Sequence, residues 1–261
     1  MIAAVRIHPR AVAVLLVASV IGLAAFCWPL LVTGDAALAH RRDAPWIFAL
    51  LLALVLAVVL AEISEGGVDS KAIAMIGVLS AVGAVLRPLG GGTAGVETVF
   101  FLLVLGGRVF GPGFGFVLGN TTLFASALLT AGVGPWLPFQ MLGCAWIGLG
   151  AGLLPRRLAG RAELGILACY GAATSLAYGV LLNLSFWPFA LGPDTSVSFV
   201  PGDAVTENLR RLVAFSLATS LGWDVGRAVT TGVLILLAGP VILRSLRRAA
   251  RRAAFASRCS V

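Results

Sequence analysis

The stretch "GPGFGFVLGNTTLFASALLTAGVGPWLPFQMLGCAWIGLGAGLLPRR", Gly111 to Arg157, carries no charged residue before Arg156. A bilayer core of about 30 Å is crossed by roughly 20 apolar residues in a helix, so the stretch reads as two spans, 113–131 and 135–155. Pro112 lacks an amide proton and disfavours helix at Gly111, which predicts a helix boundary there. A single kinked or re-entrant segment across 96–131 is the competing reading. Gly115-x-x-x-Gly119 and Gly148-x-x-x-Gly152 leave smooth faces that let helices approach closely, and packing within this chain is the expected use of both.

The rest of the chain follows the same pattern. It has 261 residues, 59% hydrophobic and 11% charged, with a mean hydropathy of +1.02. A soluble domain carries about 25% charge, so the expectation is an all-α integral membrane protein. Further spans are predicted at 11–33, 45–62, 72–88, 96–110, 163–184 and 222–243, about eight helices in all. The first, after Arg6 and Arg10, is too long for a signal-peptide core and lacks a small-residue cleavage site. Cys27, Cys144 and Cys169 lie in apolar runs, and no C-x-x-C is present. Arg156, Arg157 and Arg161, and Arg244 to Arg258 in the tail, place both termini in the cytoplasm of a bacterial cell. The same rule accounts for the net charge of +8 without a nucleic-acid partner.

"RPLGGGTAGVET", Arg87 to Thr98, contains G-x-G-x-x-G at Gly90, Gly92 and Gly95. A phosphate cradle needs a preceding strand and a βαβ unit, whereas this loop joins two membrane helices on the outer face. No Walker ending occurs. Its glycines suit a mobile backbone that approaches or covers a ligand, with a plain connector as the alternative.

Catalytic chemistry has little to stand on. His8 and His40 lie at or outside membrane ends, and no H-E-x-x-H, acidic metal cluster or G-x-S-x-G elbow occurs. Ion-coupled carriers place ionisable residues at mid-membrane, where these spans hold almost none: Arg108 lies near a cytoplasmic end, Glu97 and Asp224 near outer ends. Neither enzyme activity nor a cofactor or metal is expected, and transport energy has to come from elsewhere.

Polar and aromatic residues gather in the outer half. Glu97 precedes Phe100, Phe101 and Val104 on one helix face, and Trp136, Phe139, Gln140 and Gly143 form another. Gly171, Thr174, Ser175 and Tyr178 repeat the spacing, with Asn120 in 113–131 and Asn183 at the end of 163–184. Such a lining suits a small, partly planar ligand, giving Glu97, Phe100, Phe101, Asn120, Trp136, Phe139, Gln140, Thr174, Tyr178 and Asn183 as candidate substrate-binding residues. Aromatic belts and interhelical hydrogen bonds are the competing uses. Gly77-x-x-x-Ala81 and Ser80-x-x-x-Ala84 mark a smooth face on 72–88. The segment 205–219 reads as an amphipathic interfacial helix that either caps the pocket or lies on the membrane.

Gly111 to Arg157 resembles the signature block of the substrate-binding S components of energy-coupling factor (ECF) transporters. The block reads G-P-x-x-G-x-x-x-G, then a helix, an outer loop with Pro, and G-x-x-x-G ending in basic residues. The resemblance covers about 71–245. It implies a six-helix S-component bundle, preceded by a two-helix extension at 1–70 and followed by a basic tail at 246–261. It also implies vitamin capture gated by the loop with Gly90, Gly91, Gly92 and Gly95. Docking on a transmembrane coupling protein would use Gly77, Ser80, Ala81 and Ala84, with Gly77 where the family has Ala. Two cytoplasmic ABC ATPases would supply the energy. A structural or assembly subunit without ligand is the alternative, and a membrane enzyme the third reading.

Overall fold

A computed structural model describes residues 9–31, 49–50, 52–53, 56–57, 70–90, 93–191 and 195–256. The span expected at 45–62 therefore lies largely outside the described residues. The described residues contain helices α1 (Pro9–Phe26), α2 (Trp28–Leu31), α3 (Ser70–Leu89), α4 (Phe100–Phe110), α5 (Pro112–Leu129), α6 (Leu137–Leu153), α7 (Gly160–Ala190), α8 (Val205–Thr219) and α9 (Leu221–Ala256). A 3-10 turn, Thr93–Gly95, precedes α4. Among the described residues, five segments are long and apolar enough to cross a membrane: Lys71–Leu89, Thr93–Phe110, Pro112–Leu129, Gly160–Ala190 and Leu221–Arg252. Val12–Phe26 and Leu137–Leu153 are apolar but shorter.

The architecture is built around α4. Its sequence FFLLVLGGRVF is apolar on every side, and all of it but Val109 is buried, as a helix without a polar face demands. Around it stand α5, α6, α7 and α9, while α3 packs mainly on α5. The break between α4 and α5 falls at Gly111, whose φ of 106° is open only to glycine, and Pro112 then starts α5. The chain thus makes two helices here and not one kinked segment.

Glycines set the spacing of the centre. A Cβ on Gly148 of α6 would meet the Gly115 carbonyl of α5, and one on Gly107 of α4 would meet the Gly148 carbonyl. Gly119 likewise faces the Cys144 carbonyl, and Gly152 faces Gly111 and Pro112. Both G-x-x-x-G pairs therefore serve packing within the chain. The first helix docks on the same body: Trp146 Nε1 donates to Ser19 Oγ at 3.0 Å, and Phe26 meets the Phe139 ring edge-on at 5.0 Å.

One end of the bundle is locked by a buried ion cluster. Glu163 Oε1 of α7 accepts from Arg108 Nε of α4 at 2.8 Å and from Arg247 Nη2 of α9 at 2.5 Å. The side chains of Arg108 and Glu163 are each 2% exposed. Arg108 also donates to the Leu154 carbonyl at 2.9 Å and to that of Leu158 at 3.4 Å, satisfying acceptors freed where α6 ends.

The opposite end holds α8, an amphipathic helix as its sequence predicts. Leu212 and Phe215 bury against Leu184 and Trp187 of α7. Asn208 pairs with both backbone groups of Val200, and Asn183 bonds Ser216 and Ser220. Arg211 donates to Asp203 and holds its carboxyl below the usual carboxylate range. That small contribution is present above the ordinary aspartate range and is lost as pH falls through the depressed value.

Two substitutions test this packing. Gly148→Ala overpacks the α5–α6 contact and should cost about 1–3 kcal/mol, whereas Gly77→Ala, with open space around it, should leave unfolding unchanged. Glu163→Gln strands two arginines and should cost about 3–5 kcal/mol. Thermal unfolding in mild detergent reads all three, and equal midpoints for the two glycine variants would contradict the packing.

Candidate functional site

Glu97 stands between the 3-10 turn and α4. Its Oε2 accepts from Arg227 Nε of α9 at 2.6 Å, and Arg227 Nη1 donates to Asp224 Oδ1 at 2.7 Å. Asp224 and Arg227 are three residues apart and so share one face of α9. Asp224 fits because Gly179 of α7 has no side chain: a Cβ there would meet the Asp224 carboxylate. The guanidinium lies over two rings, 5.2 Å from the Tyr178 centroid and 5.7 Å from that of Phe100. Those rings meet edge-to-face at 5.0 Å and 67°. A cation above aromatic faces gains electrostatic attraction to the ring quadrupoles.

A second arginine faces this group from α3. Arg87 Nη2 donates to Gln140 Oε1 of α6 at 3.2 Å, and Nη1 to Ser126 Oγ of α5 at 3.4 Å. Gln140 and Gly143 lie one turn apart on α6, and Gly143 rests against the Tyr178 ring. Helices α3, α4, α6, α7 and α9, with Glu97 just before α4, thus contribute two arginines, two carboxylates, an amide and two aromatic rings to this end of the bundle.

The glycine-rich loop closes over the start of α9. A Cβ on Gly95, where φ is 74°, would meet the Trp223 carbonyl, and one on Gly226 would meet the Ala94 carbonyl. Ala94 itself adopts φ 51°, a left-handed conformation that costs a non-glycine residue. Thr98 Oγ1 donates to the Leu86 carbonyl at 2.6 Å, tying the two ends of the loop together. The loop is therefore anchored by backbone contact at Ala94 and Gly95 and is not a free connector. Gly90 packs against the Val96 carbonyl, and Gly91 and Gly92 lie outside the described residues.

Of the residues expected to line a site, Glu97, Phe100, Gln140 and Tyr178 come together. The others make further contacts in the structure. Phe101 lies in the same hydrophobic core as Phe100 and Tyr178, and Phe139 meets Phe26 of α1 edge-on. Trp136 is 42% exposed, with its indole donating to the Gly132 carbonyl. Thr174 Oγ1 donates to the Tyr170 carbonyl of its own helix at 2.8 Å. Asn183 is saturated by the serines flanking the α8–α9 junction. Asn120 is fully buried and donates to the Phe116 carbonyl, with its Oδ1 unpartnered; no contact joins it to the Arg227 group. Arg227 and Arg87 were not among the residues expected in a site, and Asp224 was noted only for its place near an outer helix end. The available signal was the pairing of an arginine with an acid three residues before it inside an apolar run.

The smooth face of α3 divides. Gly77 and Ala81 are exposed beside Val78, Val82 and Val85. Ser80 and Ala84 are buried on the other side, where Ser80 Oγ and Thr121 Oγ1 share a hydrogen bond of 2.6 Å. The reason is helical geometry: at roughly 100° per residue, Ser80 and Ala84 share a stripe turned toward α5 and offset by about 60° from the one carrying Gly77 and Ala81.

No curated protein and no solved structure matches the chain. A family model described as the ECF transporter substrate-specific component matches residues 71–246, which spans α3 to most of α9, and the chain belongs to that family.

Proposed function

We propose that the chain captures a small molecule, a vitamin or related micronutrient, between Glu97, Arg227, Phe100, Tyr178, Gln140 and Arg87. Members of this family are substrate-binding, non-catalytic subunits of ECF transporters, multi-pass in the membrane, and assemble with a coupling protein and ATPases. The observation that carries the reading is the Arg227 group: charge, amide and aromatic faces gathered beneath the glycine loop, where a bilayer-facing surface would need none of them. In the orientation set by the basic clusters, this end opens outward, in the bacterial cytoplasmic membrane, and both termini are cytoplasmic. The loop from Gly90 to Gly95 then gates entry, and release inward follows ATP hydrolysis on the partner ATPases.

Docking on the coupling protein is assigned to Gly77 and Ala81 with the valines beside them. These small and branched apolar groups leave α3 open to close helix contact, while Ser80 and Ala84 are committed to the interior. The second reading is a structural subunit. It is favoured by the mutual satisfaction of Arg227, Glu97 and Asp224, which would hold the helices together without any ligand.

Native mass spectrometry of the detergent-purified chain separates the two. The expected result is one stoichiometric small molecule in the wild type, with retention weakened about tenfold or more, about 1.4 kcal/mol, by Glu97→Gln and by Gln140→Ala. Retention unaltered by both changes would remove these residues from the site. Gly77→Leu or Ala81→Leu should abolish co-purification with the coupling protein and leave the unfolding midpoint in place; intact co-purification would move the docking face elsewhere.

A further inference from the structure

The arginines of this chain are paired with care. Among the described residues, each buried or half-buried arginine other than Arg87 has a carboxylate partner: Arg108 and Arg247 share Glu163, Arg211 has Asp203, and Arg227 has Glu97 and Asp224. Arg87 is half-buried on a membrane-spanning helix, and its hydrogen-bond partners are neutral, a glutamine oxygen at 3.2 Å and a serine oxygen at 3.4 Å. A guanidinium presents five N–H donors in a planar fork suited to a carboxylate or phosphate. Two long bonds to neutral oxygens leave most of that capacity unused, in a setting where an uncompensated charge is expensive.

We propose that Arg87 anchors an anionic group, a carboxylate or phosphate, of the molecule held in this site. The inference rests on the ligand-binding reading above and specifies its substrate class. Gln140 and Ser126 hold the guanidinium against α5 and α6, toward the interior side of α3 that also carries Ser80 and Ala84. Glu97 and Asp224 do not pair with Arg87; both bind Arg227. Gln140 ties Arg87 to the helix whose Gly143 rests against the Tyr178 ring, so the complementary cargo is an organic acid or phosphate ester with an apolar body. A phospholipid headgroup offers the same phosphate chemistry, since Arg87 lies in the last turn of α3. The inward hydrogen bonds favour a cargo over a lipid, which an outward-snorkelling arginine would reach.

The test uses the full chain as wild type, Arg87→Gln, Arg87→Lys and Tyr178→Ala, in an uncharged detergent. Thermal unfolding is followed with a panel of vitamin-sized carboxylates and phosphate esters, each beside its neutral amide or dephosphorylated form. The expected result is an anionic member that stabilises the wild type while its neutral counterpart does not. Arg87→Gln should weaken its binding at least about tenfold, Arg87→Lys should restore part of it, and Tyr178→Ala should weaken it as well. A neutral member that stabilises wild type and Arg87→Gln alike, with Tyr178→Ala impaired, overturns the anionic assignment and leaves ligand capture standing. No stabilisation by any member, with no small molecule released from purified protein, overturns both. The lipid arm compares nanodiscs of phosphatidylglycerol with phosphatidylcholine: an Arg87-dependent stabilisation by phosphatidylglycerol alone assigns the anion to a headgroup and overturns the cargo assignment.

Discussion

Two arginines on α9 constrain the whole bundle. Arg227 and Arg247 lie twenty residues apart on one helix, about 30 Å along its axis, which matches the thickness of a hydrocarbon core. Each meets a glutamate from another part of the chain, Glu97 before α4 and Glu163 on α7. Charges taken from water cannot be left unpaired without a large cost. A slide of α9 by one turn, about 5.4 Å, would therefore break both contacts at once. The two clusters set the register of the longest helix and hold charge near the two ends of the apolar bundle, leaving its middle free of it.

The central helix α4 depends on the same pairing. Glu97 lies just before its start and Arg108 in its last turn, so it bridges the two clusters that hold α9. Between them it is apolar throughout, and Gly107 lets it touch the backbone of α6. Close backbone contact between α4, α5 and α6 makes this part of the bundle a rigid wall. Against it the Phe100 ring keeps a fixed position, and Tyr178 reaches across from α7 to meet it.

The polar end of the protein has two separate parts. One is the Arg227 group with Arg87 and Gln140, which has unused hydrogen-bonding capacity on Arg87. The other is the small core of Trp187, Leu184, Leu212 and Phe215, in which Asn183, Asn208 and Trp187 are saturated by local backbone and serine partners. Both are rich in amides and aromatics. Satisfaction distinguishes them: saturated groups stabilise the connection between α7 and α9, whereas Arg87 keeps donor capacity that its neutral partners do not use.

Much of the fold was legible in the chain itself, because the bilayer imposes a length and polarity rule that local sequence obeys. Apolar runs marked α3 to α7 and α9, Gly111–Pro112 marked the break between α4 and α5, and the two G-x-x-x-G pairs marked close packing. The amphipathic pattern of 205–219 marked α8. Glu97, Phe100, Gln140 and Tyr178 were expected on facing surfaces because polar and aromatic residues there follow helical periodicity, and they lie at the same end of the bundle. Asn183, Thr174 and Phe139 carry the same signature yet bond their own helix or a different neighbour, and periodicity says which face a residue occupies, not what lies opposite. The partnership of Arg227 with Glu97, 130 residues apart, and the absence of a carboxylate partner for Arg87 among the described residues were settled only by tertiary structure. An ion pair across helices depends on their mutual register, which no single helix contains.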